Sequence, residues 1–341
     1  MEALLYERVK EHVVKCYLCN HRCVIKDGRR GICNVRENRG GILETLVYDR
    51  IIARNIDPIE KKPLFHFYPG SLSYSVGTVG CNFRCRFCQN ADIAQMAADH
   101  SGRISGTPFT PEQMVEEALK TGCRSISYTY TEPTIFYELA FDTAALAHEK
   151  GLKNIFVTNG YMTIEALEKI APFLDAANVD VKAFTEEFYE KQCSASLAPV
   201  LDTLRHMRRL GIFIEVTTLV IPGLNDSAGE LENLAGFIAK ELGEHTPWHV
   251  SRFHPTYRLT DRPPTSPSKI MEARRIGIPQ GLKYVYAGNL HGTGAENTAC
   301  SACGRDVIVR SGFSVLENRV AVNSLCPDCG EKIHGVGLTE V

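Results

Sequence analysis

Between residues 71 and 290 the chain alternates strand-like and helix-like stretches, and this alternation restricts the fold more than any other feature. Strand character marks "SLSYSVGTVG", "RSISYTY", "LKNIFVTNG", "AANVDVKAF", "IFIEVTTLVIPG" and "WHVSRFHP". Helical spacing fills the gaps with "PEQMVEEALKTG", "TIFYELAFDTAALAHEKG", "TIEALEKIAPFL", "PVLDTLRHMRRLG" and "AGELENLAGFIAKELG". Several of these end at glycine, as helix C-termini commonly do. Strands separated by helices join in parallel. About six such units can be counted, fewer than the eight of a closed barrel. The expected fold is therefore α/β, a partial (βα)6 barrel of the TIM type or an open parallel sheet. In both, chemistry gathers at the C-terminal ends of the strands. The sequence puts polar residues there six times in succession: residues 80–90, "YTEP", "TNG", Asp180 with Lys182, "PGLND" and His254.

The 13 cysteines are distributed unevenly. Cys16, Cys19, Cys23 and Cys33 form one group, Cys81, Cys85 and Cys88 a second, and Cys300, Cys303, Cys326 and Cys329 a third. Cys123 and Cys193 stand alone and read as small buried hydrophobes. The start, "MEALLYERVKEHVVKC", is charged throughout and lacks a signal-peptide core, and no apolar run is long enough for a bilayer. A cytoplasmic protein is expected, in which grouped cysteines bind metal rather than form disulfides. Hydrophobic residues make up 44%, enough for a sizeable core. A formal net charge of -2 argues against a protein built to coat nucleic acid or anionic membrane. Three parts are expected: residues 1–70, a four-cysteine module opening with a short helix (Leu4, Leu5, Val9, Val13); residues 71–290, the α/β core; and residues 291–341, a second four-cysteine module.

The middle group, "GCNFRCRFCQN", has C-x3-C-x2-C spacing and stops at three ligands. A structural zinc site wants four, and a 4Fe-4S cluster also usually takes four thiolates. Three cysteines on one loop either borrow a distant fourth ligand, as a zinc knuckle would, or leave one iron open to a small molecule. In the tail, C-x2-C, 22 residues and C-x2-C again, each pair followed by Gly, describe a zinc-ribbon-like module with "RDVIVR" and "RVAV" as its strands. The spacing favours zinc over a redox iron. The N-terminal C-x2-C-x3-C-x9-C can close a site with four thiolates around zinc or an auxiliary 4Fe-4S cluster, and its compactness leans toward the cluster.

The three-cysteine motif, with Phe87 before its last cysteine, resembles the signature of the radical SAM enzymes. Nearly the whole chain resembles the radical SAM enzyme of the prokaryotic AmmeMemoRadiSam system. The segments that carry the likeness are "IDPIEKKPLFHFYPGS", "GTVGCNFRCRFCQN", "YTYTEPTIFYE", "FVTNGY", "NVDVKAF", "LVIPGLNDS", "PWHVSRFHPTY", "YVYAGN", "ENTACSACG" and "CPDCG". It is similar, too, to the activating enzymes of glycyl-radical enzymes such as pyruvate formate-lyase. The resemblance implies a 4Fe-4S cluster on Cys81, Cys85 and Cys88 whose open iron binds S-adenosylmethionine. It places Glu132 against the amino group of that cofactor, with Tyr130 and Thr131 standing where relatives carry two glycines. Thr158, Asn159, Asp180, Lys182 and His254 match further cofactor-site positions, Lys182 facing the carboxylate. Each also has a plainer reading: Glu132 as a helix N-terminal acid, Asp180 and Lys182 as a simple pair, His254 as a core histidine.

The leading expectation is an enzyme that cleaves S-adenosylmethionine reductively and abstracts hydrogen from a protein or peptide. Alternatives are a glycyl-radical activating enzyme and a non-catalytic zinc-binding module. The resemblance further implies an electron donor such as flavodoxin or ferredoxin, and Memo-like and AMMECR-like partners.

Overall fold

The computed structural model describes residues 1–290 and 292–340. Seven parallel strands stand side by side in chain order: Leu72–Thr78, Ser125–Tyr128, Lys153–Thr158, Ala176–Asp180, Phe213–Val220, Trp248–Arg252 and Val285–Gly288. The six anticipated strands are all present, and the seventh extends the sheet beyond the sequence expectation. At the opposite edge, Arg50–Pro58 pairs antiparallel with the first parallel strand and carries the short strand Thr107–Pro108. The two ends of this nine-stranded order do not pair, so the barrel is partial. Every residue of Ser125–Tyr128 is buried, as expected of a parallel strand covered on both faces.

The five anticipated helices form, and their ends follow local chemistry. Pro111–Lys120 starts at Thr110, whose hydroxyl accepts from the Gln113 amide while the Gln113 side chain accepts from the Thr110 amide. Pro111 occupies the first turn, where its missing N–H costs nothing. Met114, Val115 and Ala118 form its buried stripe. A further helix, Pro267–Gly277, was not anticipated; Ser266 caps it and Pro267 opens it.

The N-terminal expectation of a helix is overturned. Tyr6–Lys10 and Val13–Cys16 are antiparallel strands, followed by Val24–Lys26. The apolar positions 5, 9 and 13 are spaced by four, which satisfies a strand's period of two as well as a helical turn. A register shift between Arg8 and Lys10 leaves Val9 exposed. This module is anchored by a buried ion pair, Arg36 with Glu138 of helix Tyr137–Glu149. The same guanidinium donates to Leu4 O (3.1 Å) and to Cys16 Sγ (3.3 Å).

In the tail, Asp306–Ser311 is a strand as expected, but "RVAV" is not; its partner is Ser314–Asn318, across a turn at Gly312. A buried chain of hydrogen bonds ties the tail to the barrel. Arg310 Nη1 donates to Thr298 Oγ1 (2.8 Å), Thr298 meets the Tyr286 hydroxyl (2.9 Å), and Tyr286 meets His66 Nε2 (2.5 Å). His66 Nδ1 in turn donates to His334 O (2.5 Å). With Nδ1 donating and Nε2 accepting, His66 is neutral, and burial holds its pKa down at about 4.

Candidate active site

A cavity of about 580 Å³ opens at the C-terminal ends of the parallel strands. The loop after the first strand brings Cys81, Cys85, Phe87 and Cys88 to it, and the next three strands bring Glu132, Thr158, Asn159, Asp180 and Lys182. Residues from the last three parallel strands, Thr217, Leu219, His249, Ser251, Ala287 and Gly288, complete the arc. One cavity touching strand ends across the sheet requires the sheet to curve around it.

The cysteine loop is fixed by its neighbours. Arg84 N donates to Cys193 O (2.8 Å) and Arg86 N to Gln192 O (2.9 Å), while the Phe83 amide donates to Cys81 Sγ (3.3 Å). Phe87 is buried against Phe188, with ring centroids 5.7 Å apart. Burial, then the Glu132 carboxylate and the Cys85 thiol, push the Cys81 thiol well above its ordinary pKa. Contact with the Cys193 thiol, then burial, do the same at Cys85, and burial together with Cys85 takes Cys88 up to about 11. These are three desolvated sulfurs on one loop that a cationic iron centre would ionise and satisfy, so the donor set fits a cluster. Cys193, read from the sequence as a plain hydrophobe, is buried as expected, but its thiol lies against Cys85 and outside the cavity lining.

Glu132 is 2% exposed and accepts four hydrogen bonds. Oε1 takes the Thr134 amide (3.0 Å), the Thr134 hydroxyl (2.5 Å) and the Thr158 hydroxyl (2.7 Å); Oε2 takes the Asn159 amide (2.8 Å). All four donors are neutral, and among the described residues no cation pairs with it. Burial raises its pKa. A buried carboxylate so prepared fits a ligand ammonium, although it also caps the 133–136 turn, as the plainer reading held. Asn159 Nδ2 donates to Asn82 Oδ1 (2.7 Å) and lies 3.9 Å from Cys81 Sγ, joining this group to the cysteine loop.

Two features shape the approach to Glu132. Tyr130 adopts a left-handed backbone (φ 64°), and the Thr131 amide turns back onto Thr129 O (2.7 Å). That carbonyl would lie 2.6 Å from a Cβ at position 77, so Gly77 is required by close approach. Asp180 and Lys182 do pair, and both line the cavity. Burial acts to lower the Lys182 pKa, but Asp180 and Cys85 outweigh it and hold the ammonium charged.

His254 lies apart from the other expected site residues. It lies beyond the strand Trp248–Arg252, is exposed and is absent from the cavity lining, the buried position being taken by Phe253. Among the described residues, the histidine that lines the cavity is His249, which meets Glu215 Oε2 at 2.6 Å. Its position within a strand, where side chains alternate inward, was the available signal.

The two flanking cysteine groups differ in geometry. Cys300, Cys303, Cys326 and Cys329 bring their sulfurs within 4.8 Å of one another, the only such group among the described residues. Cys300 and Cys329 are 3.6 Å apart and Cys303 and Cys326 3.8 Å. Tetrahedral zinc thiolates at about 2.3 Å from the metal stand roughly 3.8 Å apart. Gly304 (φ 74°) and Gly330 (φ 78°) return their amides to Cys300 O and Cys326 O, both at 2.9 Å. Cys16, Cys19, Cys23 and Cys33 lie near one another but do not gather this tightly.

Fold and site define an α/β framework that places three cysteines at the mouth of a partial barrel. Residues 75–237 match the family described as the radical SAM superfamily. An uncharacterized protein of Methanocaldococcus jannaschii is 45% identical over 333 residues, covering 97% of this chain and 98% of its own. The pyruvate formate-lyase-activating enzyme of Clostridium pasteurianum is 23% identical over 181 residues, 50% of this chain and 73% of that enzyme. A radical SAM methyltransferase structure from Sphaerobacter thermophilus aligns with a TM-score of 0.50 at 19% identity, over 70% of this chain and 71% of that one. The chain belongs to the radical SAM superfamily. It is an enzyme of that class, related to the activating enzymes of glycyl-radical enzymes, and membership implies a 4Fe-4S cluster and S-adenosylmethionine.

Proposed function

We propose that the protein cleaves S-adenosylmethionine reductively and directs the resulting radical at a hydrogen atom of a protein or peptide. The observation that carries this reading is that Cys81, Cys85, Cys88, Glu132, Thr158, Asn159 and Lys182 all line one cavity. When bound and reduced, a 4Fe-4S cluster supplies one electron to the sulfonium, so that the S–C5′ bond breaks homolytically and the 5′-deoxyadenosyl radical takes a hydrogen atom from substrate. The three cysteine thiolates would hold three irons, and Phe87 packs behind their loop. Glu132, supported by Thr134, Thr158 and Asn159, would receive the amino group. Lys182, kept charged by Asp180, would meet the carboxylate.

The core carries this chemistry in residues 71–290, flanked by four-cysteine modules in residues 1–70 and 291–341. Sulfur spacing supports zinc in the C-terminal module. The wider N-terminal group favours an auxiliary 4Fe-4S cluster, since four irons separate their thiolates further than one ion does. The reading includes a flavodoxin or ferredoxin as electron donor in the cytoplasm, and Memo-like and AMMECR-like partners by resemblance. Likeness to the activating enzymes favours a second reading, abstraction from a glycine of a partner enzyme, which would leave a glycyl EPR signal on that partner.

The deciding experiment is anaerobic 5′-deoxyadenosine release from S-adenosylmethionine with a strong reductant. The reconstituted protein releases it and the Cys81→Ala, Cys85→Ala, Cys88→Ala variant does not. A wild type that binds iron and S-adenosylmethionine yet yields no 5′-deoxyadenosine refutes the proposal.

A further inference from the structure

Part of the cavity is not used by the chemistry above. Glu60, Phe65, Asn289, Glu296 and Phe313 line it. They come from segments far apart in sequence: "IDPIEKKPLFHFYPGS", "YVYAGN", "ENTACSACG" and the turn of the tail hairpin.

Two carboxylates here are incompletely satisfied. Glu60 is fully buried and Glu296 is 7% exposed, and each leaves its Oε2 without a hydrogen-bond partner. Glu60 Oε1 accepts from the Gly70 amide (2.9 Å) and lies 3.5 Å from Arg310 Nε. Glu296 has no ion pair among the described residues. Among the nearby cations, Arg310 is the counter-charge of Glu60, and Lys61 and Lys62 serve Asp57. Lys62 donates to Asp57 (2.9 Å) and Ser75 (2.5 Å), and Lys61 to Asp57 (2.7 Å). Arg310 donates to Phe65 O (2.7 Å), Thr298 Oγ1 (2.8 Å) and the backbone carbonyl of Glu296 (3.2 Å). Arg310 thus holds Glu296 by its main chain, and among the described residues no cation pairs with its carboxylate.

A desolvated carboxylate without donors is costly, and a ligand bringing a cation removes that cost. The surroundings suit such a ligand. The Phe65 ring already carries a guanidinium, with Arg310 Cζ 4.3 Å from its centroid. Phe313, 46% exposed at the hairpin turn, offers a second aromatic surface. Carboxylates beside aromatic rings select alkylammonium or guanidinium groups.

We propose that this part of the cavity is the substrate subsite, and that it recognises a cationic group, ammonium or guanidinium, through the Glu296 carboxylate with Glu60 behind it. This rests on the function proposed above and adds the chemistry of its substrate. The cation is either a lysine or arginine side chain of a polypeptide or a free amine.

The test uses the full chain, reconstituted anaerobically, with S-adenosylmethionine present. Binding is measured by calorimetry for Nα-acetyl-arginine methylamide, for its neutral citrulline counterpart, and for agmatine as the free amine. The wild type is expected to bind at least one cationic probe tenfold or more tighter than the neutral one. Preference for the blocked arginine supports a polypeptide source, and preference for agmatine a free amine. Glu296→Gln is expected to reduce the cation preference tenfold or more, with metal content and melting temperature recorded to confirm folding. Equal binding of charged and neutral probes by the wild type overturns the inference without recourse to any variant. So does a folded Glu296→Gln that keeps the preference. Parallel 5′-deoxyadenosine measurements on the wild type separate the two readings. Cofactor cleavage without cation preference defeats only this inference, and cation preference without cleavage defeats only the proposed function.

Discussion

Replacing Glu132 by Gln separates a cofactor ligand from a simple helix cap. The two carboxylate oxygens each accept one backbone amide, Thr134 N on Oε1 and Asn159 N on Oε2. The Thr134 and Thr158 hydroxyls can rotate, but the two amides cannot. In either orientation, the Gln side-chain NH2 must therefore face a backbone N–H. The buried donor left unsatisfied should cost about 1–3 kcal/mol of stability. If Glu132 also binds the ammonium of S-adenosylmethionine, a hydrogen bond to a charged group is lost, worth roughly 1.5–3 kcal/mol, or about a 10- to 150-fold weaker Kd. The assay is anaerobic calorimetry of S-adenosylmethionine on reconstituted protein, paired with thermal melting. A lower melting temperature with a Kd unchanged within about threefold would refute the ligand role and leave Glu132 as the cap of the 133–136 turn.

Other outcomes follow from the same structure. Glu138→Gln breaks the buried pair with Arg36 and should destabilise the protein by roughly 3–5 kcal/mol. At about 0.7 kcal/mol/K for a chain of this length, that is a fall of roughly 4–7 °C in calorimetric midpoint; no measurable fall would count against the anchoring role. Cys193→Ala should preserve the iron content and the change that S-adenosylmethionine makes to the EPR of the reduced cluster, because Cys193 lies outside the cavity lining; loss of both would make it a fourth ligand. Cys329→Ser should remove about one equivalent of zinc while leaving iron in place, read by elemental analysis. His66 has its folded pKa lowered to about 4 from 6.5 by burial. The unfolded state binds the extra proton first, so the His66 contribution is complete above pH 6.5 and is lost as pH falls toward 4. Urea midpoints should decline across that window, and His66→Gln should flatten the decline.

Legibility in the sequence followed physical cause. The six strands of the barrel were readable because residues buried on both faces leave apolar runs between glycine-ended helices. Strand Val285–Gly288 was missed because four residues carry little periodicity. Strand Arg50–Pro58 was missed because charged Arg54 and polar Asn55 point out from an edge. The hairpin partner Ser314–Asn318 is exposed along most of its length, so the apolar "RVAV" beside it gave the stronger and misleading signal. The three cysteines and Glu132 were legible because their residue types and their places after strands agree. Glu60 and Glu296 were not, since an acid in a loop reads as solvated until folding buries it. His254 stood out over His249 because it follows a strand end, whereas the inward position within the strand decides which ring meets the cavity.

The parallel strands also record an order of construction. Each pairs with the one before it, so during synthesis every new strand meets an edge already waiting. The wall carrying Glu296 and Phe313 is made after all seven parallel strands. Until that segment folds, the cysteine loop faces a basin open on one side. When the tail hairpin docks through Arg310, the basin becomes a chamber. A polypeptide cut before residue 296 would keep the cysteine loop and lose that wall.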